Sequence, residues 1–352
     1  MSISVDHQYV DRTTGAVITE RLYADRVLRG LYAAPWEGRA WLVKTLASAR
    51  TSSLLSFLNY DVPLGSAAWG ATRFARSLGV DLDECVESPE RLDSARKLFQ
   101  RKIRYWEARP MDDDPRTVVA PADARILVGS FAECSSLFVK GKFFEFDELF
   151  GLNRGAWIHA FQNGDFAICR LTPDKYHYNH LPVSGTVRDF YTVSGQYHSC
   201  NPGPVVSIAT PYSKNARVVT ILDTDVPGGA GVGLVAMIEV VALMIGAIDQ
   251  CYSEMRYDHP SPIVAGMFLR KGRPKSLYRP GSSTTIVVFQ AGRIAFASDL
   301  VRNMSRADVH SRFSRGFGKP LVETDVRVRS TIGTAIPTAT RMTARERDAH
   351  GQ

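Results

Sequence analysis

From about residue 20 to 108, apolar residues recur three and four positions apart among basic ones, in segments such as AWLVKTLASAR and PERLDSARKLFQRKIRYWEARP. That spacing predicts helices. Asp112-Asp113-Asp114-Pro115 ends the pattern. Beyond it come short β-branched or aromatic runs (TVVAP, ARILVGS, SSLFVKG, GDFAICRL, RVVTIL, STTIVVFQ, GRIAF) separated by Gly, Pro and Asn, as expected of antiparallel strands joined by turns. The fold class is therefore α+β, a helical N-terminal region followed by a β-rich, mainly antiparallel domain. Residues 1–110 form the helical packing or membrane-association region, 111–340 the β-rich domain and 341–352 a solvated tail.

The longest apolar run, Leu234 to Ile248, contains Glu239 and falls short of the roughly 20 residues that span hydrocarbon, so it reads as a buried strand or helix. Leu31 to Leu58 combines Trp36, Trp41, Leu42, Leu46, Leu54, Leu55 and Phe57 with Arg39, Lys44 and Arg50. A helix at a lipid interface has that mixture, and so does an amphipathic helix packed on its own core.

With 352 residues, 45% hydrophobic and 22% charged, the chain can bury a large core, which excludes disordered, collagen-like and small disulfide-held classes. The balance of 43 Lys and Arg against 36 Asp and Glu, +7, favours anionic surfaces. Five cysteines, Cys85, Cys134, Cys169, Cys200 and Cys251, include no CxxC pair and indicate a reducing compartment. The opening MSISVDHQYVDRTTG lacks a basic stretch followed by an apolar one, so cytoplasmic residence is expected.

Three segments carry candidate chemistry. Gly228 to Gly233 (GGAGVG) breaks the dinucleotide register at Leu234 and reads as a turn between strands. His177 and His180 have HxxH spacing, but prolines flank them and no third ligand is signalled, so no metal is assigned; hydrogen-bonded structural histidines fit equally. In KGRPKSLYRPGSSTTIVVFQAGRI a Gly-Ser-Ser-Thr turn runs straight into an apolar strand. A hydroxyl on such a turn can attack the preceding carbonyl if a base takes its proton; the bland alternative is a β-turn using serine for local hydrogen bonds.

Seven motifs in order, YVDRTTG…LYAAPWEGR, KLFQRKIRYWEARPMD, PADARI, SSLFVKGKFFEFDELFG, CRLTPDKYHYNHLPVSG, GQYHSCNP and GSSTTIVVF, resemble the phosphatidylserine decarboxylase family over nearly the whole chain. The resemblance implies a proenzyme that cuts itself before Ser283, with Ser282 where the family carries glycine. It implies a β subunit of 1–282 and an α subunit of 283–352 that begins with a pyruvoyl group derived from Ser283. Asp123 matches the family's acidic triad member and His180 its catalytic histidine, with His177 or His180 as the proton donor to product. His180 taking the Ser283 proton while Asp123 orients the imidazole is consistent with ordinary triad chemistry. The implied reaction converts phosphatidylserine through a Schiff base to phosphatidylethanolamine and carbon dioxide. The implied setting is an anionic membrane surface, peripheral at the inner face, without nucleic acid; the family commonly forms homodimers.

The chain departs from the family at Ser282, at Pro274 and Ser276, where Glu and Gly are common, and at Tyr178, where Arg is common. A cut shifted to precede Ser282 is one consequence to test. A soluble decarboxylase of a free aromatic amino acid and an uncleaved, non-catalytic homologue are the alternative functions. Arg170 and Lys175 border the histidine segment and are candidates for a carboxylate or phosphate, or for solvent; His198 and Asn201 line the pocket or form a turn.

Overall fold

The computed structural model describes residues 6–20, 75, 79–132, 145–195, 202, 211–241, 248–280 and 283–336. Among these, the strands are β1 (Gln8–Asp11), β2 (Val17–Thr19), β3 (Thr117–Val119), β4 (Ala124–Ser130), β5 (Asp165–Leu171), β6 (Tyr178–His180), β7 (Gly185–Val193), β8 (Arg217–Asp223), β9 (Leu234–Val241), β10 (Ile248–Gln250), β11 (Phe268–Leu269), β12 (Pro274–Tyr278), β13 (Ser283–Phe289), β14 (Ile294–Phe296), β15 (Thr324–Val326) and β16 (Thr331–Ala335). The helices are short: α1 (Ala95–Phe99), α2 (Tyr105–Ala108), α3 (Phe146–Phe150), α4 (Gly155–Ala160), α5 (Pro211–Lys214), α6 (Ser298–Met304) and α7 (Arg312–Phe317).

Ten strands form one sheet in the order β11-β7-β8-β9-β13-β5-β4-β15-β1-β2, antiparallel throughout except where β1 meets β15. The β-rich, antiparallel expectation holds. Alternate residues of the central strands go to opposite faces. Val235, Met237, Val287, Phe289, Ala167 and Cys169 pack on one side, Ala236, Ile238, Ile286, Val288, Phe166 and Ile168 on the other. Both sides are covered, which is why these strands read as unbroken apolar runs.

Two three-stranded sheets, β10-β12-β6 and β14-β16-β3, accompany the large one. The first repeats the central order: β5 leads to β6, β9 to β10, and β12 to β13, so three connections gather at the end of the large sheet where Ser283 lies.

The N-terminal expectation of helices fares differently. Residues 21–74 and 76–78, with Trp36 and Trp41, lie outside the described residues, as do SSLFVKG, Cys134 and Cys200. The stretch PERLDSARKLFQRKIRYWEARP is not one helix but a 3-10 turn at Pro89–Arg91 followed by α1 and α2. Ser94 restarts the chain by accepting the Lys97 N–H at 3.2 Å, and Ile103 bridges to Cys85 in extended form. Gly228 to Gly233 lies between β8 and β9, as the turn reading expects. Among the described residues no helix is long and apolar enough to cross a membrane.

A buried ionic cluster ties the sheet edge to its centre. Arg170 on β5 donates to Glu323 at 2.9 and 2.6 Å and to Glu20 at 3.0 and 2.7 Å, Arg125 also pairs with Glu20, and His7 contacts Glu323 at 2.8 Å. Burial alone would raise the Glu323 carboxyl, but the Arg170 charge and the His7 hydrogen bond outweigh it and bring it below its ordinary 4.5. This contribution to stability is present above pH 4.5 and is lost as the pH falls below it. Arg170→Met leaves two carboxylates buried without their shared cation and is expected to destabilise the protein by about 3–5 kcal/mol in urea unfolding. A loss under about 1 kcal/mol would show that the cluster is dispensable.

Candidate active site

Ser283 opens β13 and stands opposite Val241 on β9 and Leu171 on β5. Its side chain is fully buried, and Oγ has no hydrogen-bond partner among the described residues. Buried hydroxyls are almost always paired, because leaving one unpaired costs about 1–3 kcal/mol. The buried hydroxyls of Thr172, Thr220 and Thr284 are unpartnered likewise, so Ser283 is set apart by its place at the head of a central strand together with the missing bond. Ser282 lies outside the described residues.

His180, at the end of β6, is fully buried. Its Nδ1 lies 2.9 Å from the carbonyl of Gly272, which only accepts, so Nδ1 carries the proton and Nε2 presents a lone pair. The Tyr176 hydroxyl, 3.0 Å away, meets that lone pair and is itself 2.7 Å from the Tyr257 hydroxyl. Gly272 holds a left-handed φ of 71°, and a Cβ there would meet Met111 Sδ at 2.3 Å, so glycine is required at this turn. Burial drives the His180 imidazole down to about 3, against the opposing pull of the Gly272 carbonyl and Asp123, so at neutral pH it is an uncharged base.

Asp123 is buried just before β4. Arg109 grips both its oxygens, at 3.0 and 2.8 Å, and the Val328 N–H donates at 2.7 Å. Burial would raise this carboxyl, yet Arg109 holds it below the usual range. Asp123 and His180 approach through backbone, His180 N–H donating to the Pro121 carbonyl at 2.7 Å. No hydrogen bond joins His180 to Asp123 or to Ser283 among the described contacts, so the three do not form a closed triad; the imidazole lies against Tyr176 and Tyr105.

His177 stacks on Phe99 at 3.5 Å, and its ring nitrogens make no hydrogen bond of ordinary geometry. Burial, helped by Arg101, keeps it well below 6.5. The one group of three side chains close enough for a shared metal, among the described residues, is His7, Glu20 and Glu323, and the Arg170 guanidinium already bonds both carboxylates. Arg170 and Lys175 are thus structural cations here, Lys175 pairing with Asp325 at 2.7 Å. His198 and Asn201 lie outside the described residues.

Sequence reasoning missed a buried polar group beside Ser283. Glu239 on β9 faces Thr285 across the ladder, and with Lys275, Ser276 and Asn179 it is fully buried. Its signal was a carboxylate inside the longest apolar run.

A family model described as "Phosphatidylserine decarboxylase" matches residues 95–314. The chain is similar to the phosphatidylserine decarboxylase proenzyme of Bordetella petrii, 31% identical over 285 residues that cover 78% of this chain and 92% of the relative. The proenzyme of Fusobacterium nucleatum is 27% identical, covering 84% and 91%, and that of Vibrio campbellii 29%, covering 77% and 93%. The chain belongs to the phosphatidylserine decarboxylase family.

Within this decarboxylase family member, a neutral buried His180 has a thermodynamic consequence. The imidazole is protonated below about 6.5 when unfolded and stays neutral down to about 3 when folded, so stability falls as the pH drops through that window. His180→Phe is expected to reduce the slope of unfolding free energy against pH, between about pH 5.5 and 4, by about 1.4 kcal/mol per pH unit. An unchanged slope would mean that the imidazole is charged in the native state.

Proposed function

We propose that the chain is a self-cleaving proenzyme that cuts before Ser283 and decarboxylates phosphatidylserine at the cytoplasmic face of a membrane. The observation that carries this reading is the buried, unpartnered Ser283 hydroxyl at the head of a central strand, in a chain of this family. Oγ attacks the carbonyl of residue 282 and the peptide nitrogen leaves, giving an ester. Loss of the Cα proton then expels the residue 282 carboxylate, and water releases ammonia to leave a ketone at residue 283. That ketone supplies the electron sink that amino-acid decarboxylation needs.

The remaining work falls to ordinary side chains. Neutral His180 holds a lone pair at Nε2, which can take the Ser283 proton by exchanging the Tyr176 hydroxyl for it. Asp123 acts through its field, favouring the imidazolium once formed. His177, also neutral, is the second candidate to return a proton to product.

The cut fragments would stay together because β13 is hydrogen-bonded to β5 and β9 along its length. A hydrogen bond from His7 to Glu323 also crosses the junction, as do ion pairs from Arg170 to Glu323, from Lys175 to Asp325 and from Arg12 to Asp299. The segment 31–58, with its tryptophans among basic residues, and the +7 charge support contact with an anionic bilayer. The division into 1–110 for packing and membrane association and 111–340 for the decarboxylase domain needs one change, because β1 and β2 belong to the large sheet.

Intact mass under denaturing conditions tests the reading. Two species ending at 282 and beginning at a pyruvoyl-283 are expected from the parent chain, and one full-length species from Ser283→Ala and from His180→Ala. Carbon dioxide release is expected from phosphatidylserine vesicles and not from free tryptophan. A cut before residue 282 would move the ketone, release from tryptophan alone would change the substrate, and an uncut parent would end the proposal.

A further inference from the structure

Between the Ser283 end of the large sheet and the sheet β10-β12-β6 lie hydrogen-bonded polar side chains. The Glu239 carboxylate accepts from Lys275 Nζ at 2.7 Å, Gln250 Nε2 at 3.1 Å, Asn179 Nδ2 at 3.3 Å and the Ser276 hydroxyl. Lys275 Nζ donates also to Gln250 Oε1 at 2.8 Å. On its other side Asn179 Oδ1 accepts from the Thr285 hydroxyl at 2.7 Å. Glu239, Lys275, Ser276, Asn179 and Thr285 are all fully buried.

The chemistry of these groups leaves one arrangement. A carboxylate only accepts, so Asn179 must turn its Nδ2 toward Glu239, which leaves Oδ1 for Thr285. A buried ion pair stabilises little compared with apolar residues of the same volume, so Lys275 and Glu239 are poorly explained as a source of stability. What apolar residues cannot do is orient an amide. Asn179 directly precedes His180 on β6, and Thr285 lies two residues beyond Ser283 on β13. Their hydrogen bond joins the strand of the base to the strand of the nucleophile.

We infer that Asn179, oriented by the Glu239–Lys275 pair, is a positioning residue for self-cleavage, locking β6 to β13 so that the Ser283 hydroxyl meets the carbonyl before it. The inference rests on the proposed cut. In the step it serves, a bond forms between Oγ and the residue 282 carbonyl carbon, the C–N bond breaks, and the Oγ proton passes by way of His180 to the departing nitrogen.

Cell-free synthesis of the full chain, sampled over time and scored by denaturing electrophoresis on the protease-resistant fraction, measures the rate constant of the cut per folded chain. Asn179→Asp sets two carboxylates against each other and is expected to slow the cut by about 10- to 100-fold. Combining it with Glu239→Gln exchanges amide and carboxylate while every donor keeps an acceptor, and is expected to restore the rate to within about 3-fold. Thr285→Val, nearly isosteric, removes the hydroxyl that Asn179 receives and that the Tyr278 hydroxyl also meets at 3.0 Å; it is expected to slow the cut by about 10-fold, with Tyr278→Phe near the parental rate, which keeps the test open if Asn179→Asp does not fold. Hydroxylamine, which splits esters, should leave the Thr285→Val rate low, because the ester itself forms slowly. Folded Thr285→Val cut at the parental rate overturns the inference alone, as does full rescue by hydroxylamine or a folded exchange variant that stays slow. A parent that stays whole overturns the proposed function and this inference with it.

Discussion

Strand β13 has hydrogen-bonded neighbours on both sides from Ser283 to Phe289, and this constraint governs the rest of the molecule. A strand so held cannot slide without inverting its side chains between two packed faces. Its first residue is therefore placed by the whole sheet rather than by the turn that precedes it. Under the proposed cut, the new terminus would be seated among residues of the other fragment. Three strands in register, β9, β13 and β5, carry the apolar residues that make the arrangement firm, and each connects to one strand of the small sheet at the Ser283 end.

Much of this was legible in the chain. The runs that became β3, β4, β5, β8, β13 and β14 were recognisable because each is β-branched or apolar and bounded by turn residues. β6 and β12 were not, because YNH and PKSLY lack such a run and owe their extended form to pairing with one another. These two strands bring His180 and Lys275 to the site, so local pattern was weakest where chemistry gathers. Along residues 89–108 the helical spacing was real, but Ser94 and the bridge from Ile103 to Cys85 divide it into short pieces.

Charged residues were harder still, since their partners lie far off in sequence. Arg170 and Lys175 stood beside the histidines and read as candidates for a carboxylate or phosphate, or for solvent. Their carboxylates, Glu20, Glu323 and Asp325, come from the two ends of the chain, and no spacing rule connects them. Asp123 was read as the orienter of His180, but Arg109, fourteen positions earlier, takes both its oxygens, leaving the Gly272 carbonyl to set the tautomer.

Ser276 joins sequence and geometry. Read as a departure from the family, it had no evident purpose, and neither did the glutamate interrupting the apolar run of β9. In space the two side chains hydrogen-bond, with Lys275 beside them. A buried carboxylate is tolerable only with its lone pairs filled, and four donors from β6, β10 and β12 fill them. Removing any one donor would leave the others around an underfilled charge, so these residues stand or fall as a set. The same requirement explains why the small sheet packs where it does. Its strands bring those donors to Glu239, and in doing so tie β6 to β13 through Asn179 and Thr285.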